Sequence, residues 1–366
     1  MRILQVHPTF TSVKGGVERH IEGLSKYLAR RGHHVDILTT ERGRDIACEG
    51  GRVAVKRVSK FTSPFGFNSY DIVHVHGYRV PWANVFGLFR KLGGSRVVMT
   101  THGIYPPRSR MDALAKRTYD QTLGGVNVRL LDAFIALTPE TRDALLALGA
   151  QQEKICIIPN CIDTERFKKL PSPEVFLNQH RIPPEAQVIL YVGRVDWNKG
   201  LDVALASFHL IVKEVPDAVL VIVGRDYGYS SFLKELSHKF GLDDRVFLIG
   251  EVDEEDLYSA YAAADVFLLT SVYEGLPTVV LEAMACGVPV IASRTGGTAY
   301  IFNGGDVGFL TDFGDVTSTA RSMTILLTDD GLRNALGENG RTLVEKRYSW
   351  AENSIKVEQL YNHISA

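Results

Sequence analysis

The sequence predicts an α/β protein built from two doubly wound parallel-sheet units, and three observations carry that prediction. Short apolar runs alternate with longer amphipathic stretches along most of the chain, the pattern of βαβ units whose strands are buried on both faces. The alternation breaks once, after residue 155, and then restarts. The length, 366 residues, suits two domains at roughly 100–200 residues each.

In chain order, Arg2–His7 reads as a strand, and Val17–Arg31 as a helix with apolar residues at Val17, Ile21, Leu24 and Leu28, stopped by Gly32. His34–Thr39, Asp71–His76, Arg96–Thr101 and Ala133–Leu137 continue the strand series. Ile155–Asn160 then leads through Cys161–Lys169 into Leu-Pro-Ser-Pro at 170–173, where the prolines restrict the backbone and mark a connector. Strands at Val188–Val192, Ala218–Val223, Val246–Ile249, Val266–Thr270 and Pro289–Ala292 follow. They are separated by helices at Asp202–Val215, Ser230–Phe240 and Glu254–Ala263 and by a short helix after 277. Leu332–Ile364 is helical in pattern and has no strands of its own. The expected domains are 1–170, 171–345 and a returning helix at 346–366. Ligands of doubly wound sheets bind beyond the carboxyl ends of the strands, so the expected active site is the cleft between two such ends.

Hydrophobic residues make up 45% and charged residues 23%, which excludes wholesale disorder. The net charge of −1 conceals an asymmetry: residues 1–170 hold 26 Lys+Arg against 15 Asp+Glu (+11), which leaves 15 against 27 (−12) for 171–366. Opposite signs point either to two domains with different partners or to mutual attraction between them. Four cysteines without a CxxC imply reduced thiols in a cytoplasmic setting and no metal knuckle. The N-terminus lacks the apolar core of a signal peptide, and no apolar run approaches the ~20 residues that span a bilayer.

Chemistry concentrates in four places. In Ser271–Ser293 a strand feeds a loop and then a helix with Pro277 at its first position and Gly287 just past its end. The N–H groups of Thr278 and Val279 at that helix start suit a phosphate. Glu274 in the loop and Glu282 in the helix can each accept from paired sugar or ribose hydroxyls, although surface roles for both are the plainer alternative. In Tyr191–Gly200, Arg194 and Lys199 stand in a glycine-bounded loop after a strand and could neutralise a diphosphate, Arg as a fork and Lys as a point charge. Lys14-Gly15-Gly16 lies between the first strand and the first helix, where small residues allow close approach of a ligand or simply make a tight turn. It is not GxGxxG, and Asp36 comes too early along its strand to serve as a ribose acid. Finally, His102 ends a strand, where it can position a hydroxyl. His74 and His76, two apart on one strand face, read as ordinary core histidines. Zincin spacing, a GxSxG elbow and a strict DxD are all absent, so no metal site is expected.

Taken together, GGVERH, PNCIDTERF, GRVDWNKG and EGLPTVVLEAMACGVPVIAS resemble glycosyltransferase family 4, the retaining enzymes of GT-B fold, over essentially the whole chain. The E-x7-E motif of that family is matched by Glu274 and Glu282. The resemblance implies two Rossmann-like domains, a nucleoside diphosphate sugar (UDP- or GDP-linked) as co-substrate, and no required cofactor or metal. It implies diphosphate binding by Arg194 and Lys199, ribose binding by Glu282, and contact of Glu274 with the transferred sugar. Gly15 and Gly16 would line the donor phosphates, and Leu276, Thr278 and Val279 complete the donor loop. His102 would sit at the reaction centre, so His102 and Glu274 are the catalytic candidates. One departure stands in the hinge, where Cys161 replaces the usual glycine of PNGVD. A nucleotide-sugar 2-epimerase of the same architecture and a non-catalytic nucleotide-sugar binder remain alternatives. The positive half adds a further expectation. Arg108, Arg110, Lys116 and Arg117 surround the amphipathic stretch Met111–Leu123 and suit a glycan or lipid-linked acceptor at an anionic membrane surface. Nucleic acid is not an expected partner.

Overall fold

A computed structural model describes residues 1–10, 15–41, 52–59, 69–105, 107 and 109–366. Lys14, Cys48 and Arg108 lie outside the described residues. The chain divides into two compact units, one of Met1–Ile162 with Ser349–Ala366 and one of Asp163–Tyr348.

The first unit holds seven described parallel strands: β1 (Arg2–Val6), β2 (His34–Thr39), β3 (Val53–Arg57), β4 (Ile72–His76), β5 (Arg96–Thr100), β6 (Ala133–Ala136) and β7 (Ile155–Ile157). Their spatial order is β3-β2-β1-β4-β5-β6-β7, so the strand order reverses between β1 and β4. Successive residues of β1 feed opposite faces. Ile3 packs with Ile21, Leu24 and Leu28 of the Gly16–Arg30 helix and with Val357 and Tyr361 of the Trp350–Ser365 helix. Leu4 and Val6 pack with Phe86, Val97 and Phe134 on the other side. Two-sided burial is why these strands read as unbroken apolar runs. The chain leaves and re-enters this unit through neighbouring backbone, because Ile162 and Ser349 form a parallel bridge and Trp350 N–H donates to the Ile162 carbonyl.

The second unit has six described parallel strands: β8 (Gln187–Val192), β9 (Ala218–Val223), β10 (Val246–Gly250), β11 (Val266–Leu269), β12 (Val290–Ser293) and β13 (Gly308–Thr311). Their order is β10-β9-β8-β11-β12-β13, and the reversal lies between β8 and β11. The unit begins at Asp163 rather than after 170 because the turn Thr164–Phe167 packs there: Phe167 lies edge-on to Tyr258 at 5.3 Å, and Arg166 pairs with Glu254.

Two local readings need correction. Pro277 is the cap of the Thr278–Ala285 helix, in extended conformation at ψ 115°, rather than its first residue. The C-terminal helical stretch is interrupted: Asp330–Arg347 ends at Tyr348, and Ser349 caps a separate Trp350–Ser365 helix. Gly287 does close the short helix with φ +78°. Gly287 N–H donates to Met284 O and Val288 N–H to Ala283 O, the paired bonds of a left-handed C-terminal cap. Cys161 is absent from the positive-φ residues, so the loss of the hinge glycine costs no backbone strain.

Candidate active site

In the second unit the loops after β8 and β11, the two strands at the reversal, are knitted together. Gly200 adopts φ +61°, and a Cβ there would overlap the Thr270 carbonyl oxygen. The Thr270 hydroxyl donates to the carbonyls of Lys199 (3.1 Å) and Gly200 (2.8 Å), and Val272 N–H donates to Asn198 O. This close fit delivers Lys199 to Glu274, with Nζ 2.6 Å from Oε1 and both side chains largely buried. Glu274 is anchored in turn, its carbonyl accepting from Gly297 N–H.

Arg194 occupies the same loop but remains half-exposed, its guanidinium over the Tyr227 ring at 5.5 Å and 3.8 Å from Asp196 Oδ2. Arg225 flanks the same ring at 5.9 Å. Tyr227 is fixed by backbone, because its N–H donates to Val195 O while Val195 N–H donates to Arg225 O. These two residues escaped the sequence reading, and only their place just after β9 could have signalled them.

Leu276 and Thr278 are buried at the start of the Thr278–Ala285 helix. Helix geometry leaves the first N–H groups, those of Thr278 and Val279 among them, without intrahelical partners. Glu282 lies in the second turn of that helix, fully buried, and its Oε2 accepts from Tyr261 O–H at 2.8 Å. Tyr261 comes from the Glu254–Ala262 helix, and no sequence motif announces the pairing. The structure therefore joins Lys199 directly to Glu274, keeps Arg194 in the same loop, and ties Glu282 to Tyr261.

In the first unit Gly15 caps the Gly16–Arg30 helix with extended backbone (φ −75°), and its carbonyl accepts from Arg19 N–H. Asp36 is engaged elsewhere, pairing with Lys56 at 2.7 Å. His102 follows β5 in the left-handed region at φ +53°, ahead of Gly103 at φ +107°. A non-glycine residue held there is strained, and such residues cluster at functional sites. Its Nε2 lies 2.9 Å from His76 Nδ1. His74 stacks on His76 at 4.3 Å between ring centroids and reaches Tyr361 O–H and the Thr100 hydroxyl. His20, from the Gly16–Arg30 helix, lies edge-on to His102 at 4.6 Å and bonds Asn160 Oδ1 at 2.9 Å. Burial pushes His74, His76 and His102 well below the usual imidazole range and lowers His20 to about 4, so the cluster is neutral. Among the described residues, one nitrogen each from His20, His76 and His102 lie within 4.8 Å of one another, close enough to be considered as metal ligands.

The basic stretch forms the Arg110–Tyr119 helix, capped by Ser109, and a single π-type turn follows at Asp120–Gly124. No residue of the Arg110–Tyr119 helix is buried, and Met111 and Leu114 are 83% and 67% exposed. Arg110 and Arg117 are exposed, whereas Lys116 pairs with Asp112 at 2.7 Å. Among the described residues no helix is long and apolar enough to cross a membrane.

Comparison with known proteins bears on both units. Residues 14–166 match the family described as Glycosyltransferase Family 4, and residues 174–343 match Glycosyl transferases group 1. A D-inositol 3-phosphate glycosyltransferase of Xylanimonas cellulosilytica is 30% identical across 80% of this chain and 72% of its own length. A GDP-mannose-dependent alpha-(1-6)-phosphatidylinositol monomannoside mannosyltransferase of Mycobacterium tuberculosis is 27% identical over 95% of both chains. HepE of Anabaena, solved in complex with UDP-glucose, superposes with a TM-score of 0.82 at 21% identity, over 99% of this chain and all of that one. That similarity establishes the GT-B type of fold, with its two parallel-sheet α/β domains.

Proposed function

The chain belongs to glycosyltransferase family 4 and is a glycosyltransferase that uses a nucleotide sugar, and from that premise we propose a retaining transfer of a hexose or N-acetylhexosamine from a UDP- or GDP-linked donor to an acceptor hydroxyl of a lipid-linked glycan or other cell-envelope glycoconjugate. The observation that carries the reading is the Lys199–Glu274 pair at the reversal of the second sheet. An arriving diphosphate draws Lys199 to itself and frees the Glu274 carboxylate to accept from hydroxyls of the transferred sugar. The bond between the anomeric carbon and the diphosphate breaks as the acceptor oxygen bonds to that carbon on the same face, and the acceptor's proton passes to the departing diphosphate oxygen. Negative charge developing on the leaving diphosphate meets Arg194, Lys199 and the N–H groups of Thr278 and Val279. Glu282, oriented by Tyr261, accepts from the ribose hydroxyls. Gly15 and Gly16 give the donor phosphates a close backbone approach, and His102 serves the reacting sugar.

On the acceptor side, the reading assigns Arg108, Arg110, Lys116 and Arg117 to an anionic surface, with Met111 and Leu114 as apolar contacts. Support comes from the names of relatives: one acts on a phosphatidylinositol monomannoside. The enzyme then works peripherally at the inner face of a membrane.

A thermal-shift screen of nucleoside diphosphates and their sugars, followed by acceptor screening with the best donor, tests the reading. Free nucleoside diphosphate together with a glycoside of unchanged anomeric configuration is expected. An isomerised, intact donor would instead identify an epimerase.

A further inference from the structure

The histidine cluster of the first unit constrains where each proton sits. His76 Nε2 lies 2.6 Å from Gln5 Oε1, and a carbonyl oxygen can only accept, so His76 carries its proton on Nε2. His76 is fully buried against a neutral carbonyl rather than a carboxylate, which leaves it uncharged with a lone pair on Nδ1. The 2.9 Å contact between that nitrogen and His102 Nε2 then requires His102 to donate. With its one ring proton committed to His76 through Nε2, His102 has a bare Nδ1.

We propose that Gln5 and His76 are positioning residues that fix His102 as the Nε2–H tautomer, so that His102 meets the substrate as a hydrogen-bond acceptor through Nδ1 and not as a proton donor. This rests on the reading that places His102 in the active site. The ligand chemistry that matches is a sugar or acceptor hydroxyl, which donates to the bare nitrogen and keeps its own oxygen lone pairs for other partners. The framework is rigid in the way such positioning needs. Gln5 lies on β1 and His76 on β4, adjacent strands at the sheet reversal, and both are fully buried. His102 is held in a strained left-handed conformation that aims its ring at His76. His20 repeats the device: its Nδ1–H donates to Asn160 Oδ1, and its buried Nε2 has no hydrogen-bond partner among the described residues.

Proton positions are read directly by long-range 1H–15N correlation on the full chain labelled with 15N-histidine, with His76 and His102 signals assigned by single substitution. At pH 7 both rings should give the pattern of neutral Nε2–H imidazoles. Gln5→Met removes the acceptor while keeping the volume, and a fraction of His102 should then carry its proton on Nδ1. Turnover should fall about 10-fold with donor affinity unchanged within about twofold, the size expected when an orienting partner is lost. Gln5→Glu, whose carboxylate favours a second proton on His76 and so turns its Nδ1 into a donor, should instead shift His102 towards the Nδ1–H tautomer. An imidazolium or an Nδ1–H signal for His102 in the wild type overturns the proposal, as does a Gln5→Met spectrum identical to wild type. So does a Co2+ ligand-field band, lost in His20→Gln, because a metal among these nitrogens replaces the His102–His76 hydrogen bond. His102→Ala separates the two levels: full activity in that variant removes His102 from the active site, while the tautomer assignment is judged by the spectra alone.

Discussion

The two units place opposite chemistry at the same topological position. Around the β1–β4 reversal of the first unit stand four imidazoles kept neutral by burial, two of them with their Nδ1–H or Nε2–H committed to the side-chain carbonyls of Asn160 and Gln5. Around the β8–β11 reversal of the second stand Lys199, Glu274 and Arg194, groups with full charges. A doubly wound sheet supplies the location and nothing more, and what the location does depends on whether its side chains carry charge or only direct hydrogen bonds. The difference suits two partners, a diphosphate that needs countercharge and a hydroxyl that needs an orienting acceptor.

The sharpest way to break the contrast is Lys199→Ala. It removes the cation at the donor end and leaves Glu274 buried without its partner, and kcat/KM for donor turnover should fall about 10²- to 10³-fold, as for one lost transition-state donor. Steady-state release of nucleoside diphosphate measures it, and wild-type kinetics in the variant would remove Lys199 from the diphosphate. Next in size is the acid response of the imidazole end. His20 titrates near 6.5 unfolded and about 4 folded, so between those values the unfolded chain binds more protons. Stability is therefore full above pH 6.5 and falls as pH drops towards 4, with His20 alone contributing about 3 kcal/mol. Urea titrations at pH 7 and pH 5 should show the loss, and His20→Gln, which has no proton to gain, should lessen it and leave the part due to His74, His76 and His102. Tyr261→Phe probes the buried carboxylate of the charged end: losing a hydrogen bond to Glu282 should cost about 1.5–3 kcal/mol of stability or of donor binding. Smallest is the exposed helix. Arg110→Ala with Arg117→Ala should weaken adsorption to anionic vesicles by about 1 kcal/mol per residue at low salt, and equal binding by both proteins would exclude that face.

Much of this was legible in the sequence, and the illegible parts share physical causes. Strands buried on both faces announced themselves as apolar runs, and β2 and β9 have the bounds read from sequence. The strands left unread, β3, β7 and β13, all lie at sheet edges. An edge strand is paired on one side only and is often short or polar, and Val53–Arg57 ends in Lys-Arg while Ile155–Ile157 has three residues. In the site, Arg194, Lys199 and Glu274 were visible because a loop after a strand concentrates charge locally. Pairings across the chain were not: His76 reads as an ordinary core histidine until His102 is seen beside it, and Asn160 gives no sign of His20, 140 positions earlier.

The returning helix carries a consequence for synthesis. Trp350 lies edge-on to His20, Tyr361 O–H meets His74 Nδ1, and a side chain at Gly23 would collide with the Trp350 indole. The first unit thus takes its Trp350–Ser365 helix from sequence made after all of Asp163–Tyr348, which is itself contiguous. On the ribosome the unit that begins second has all its residues first. The imidazole end acquires its finished surroundings only once Trp350–Ser365 has been made, so a nascent protein can present the residues proposed for the donor before its histidines are locked in place.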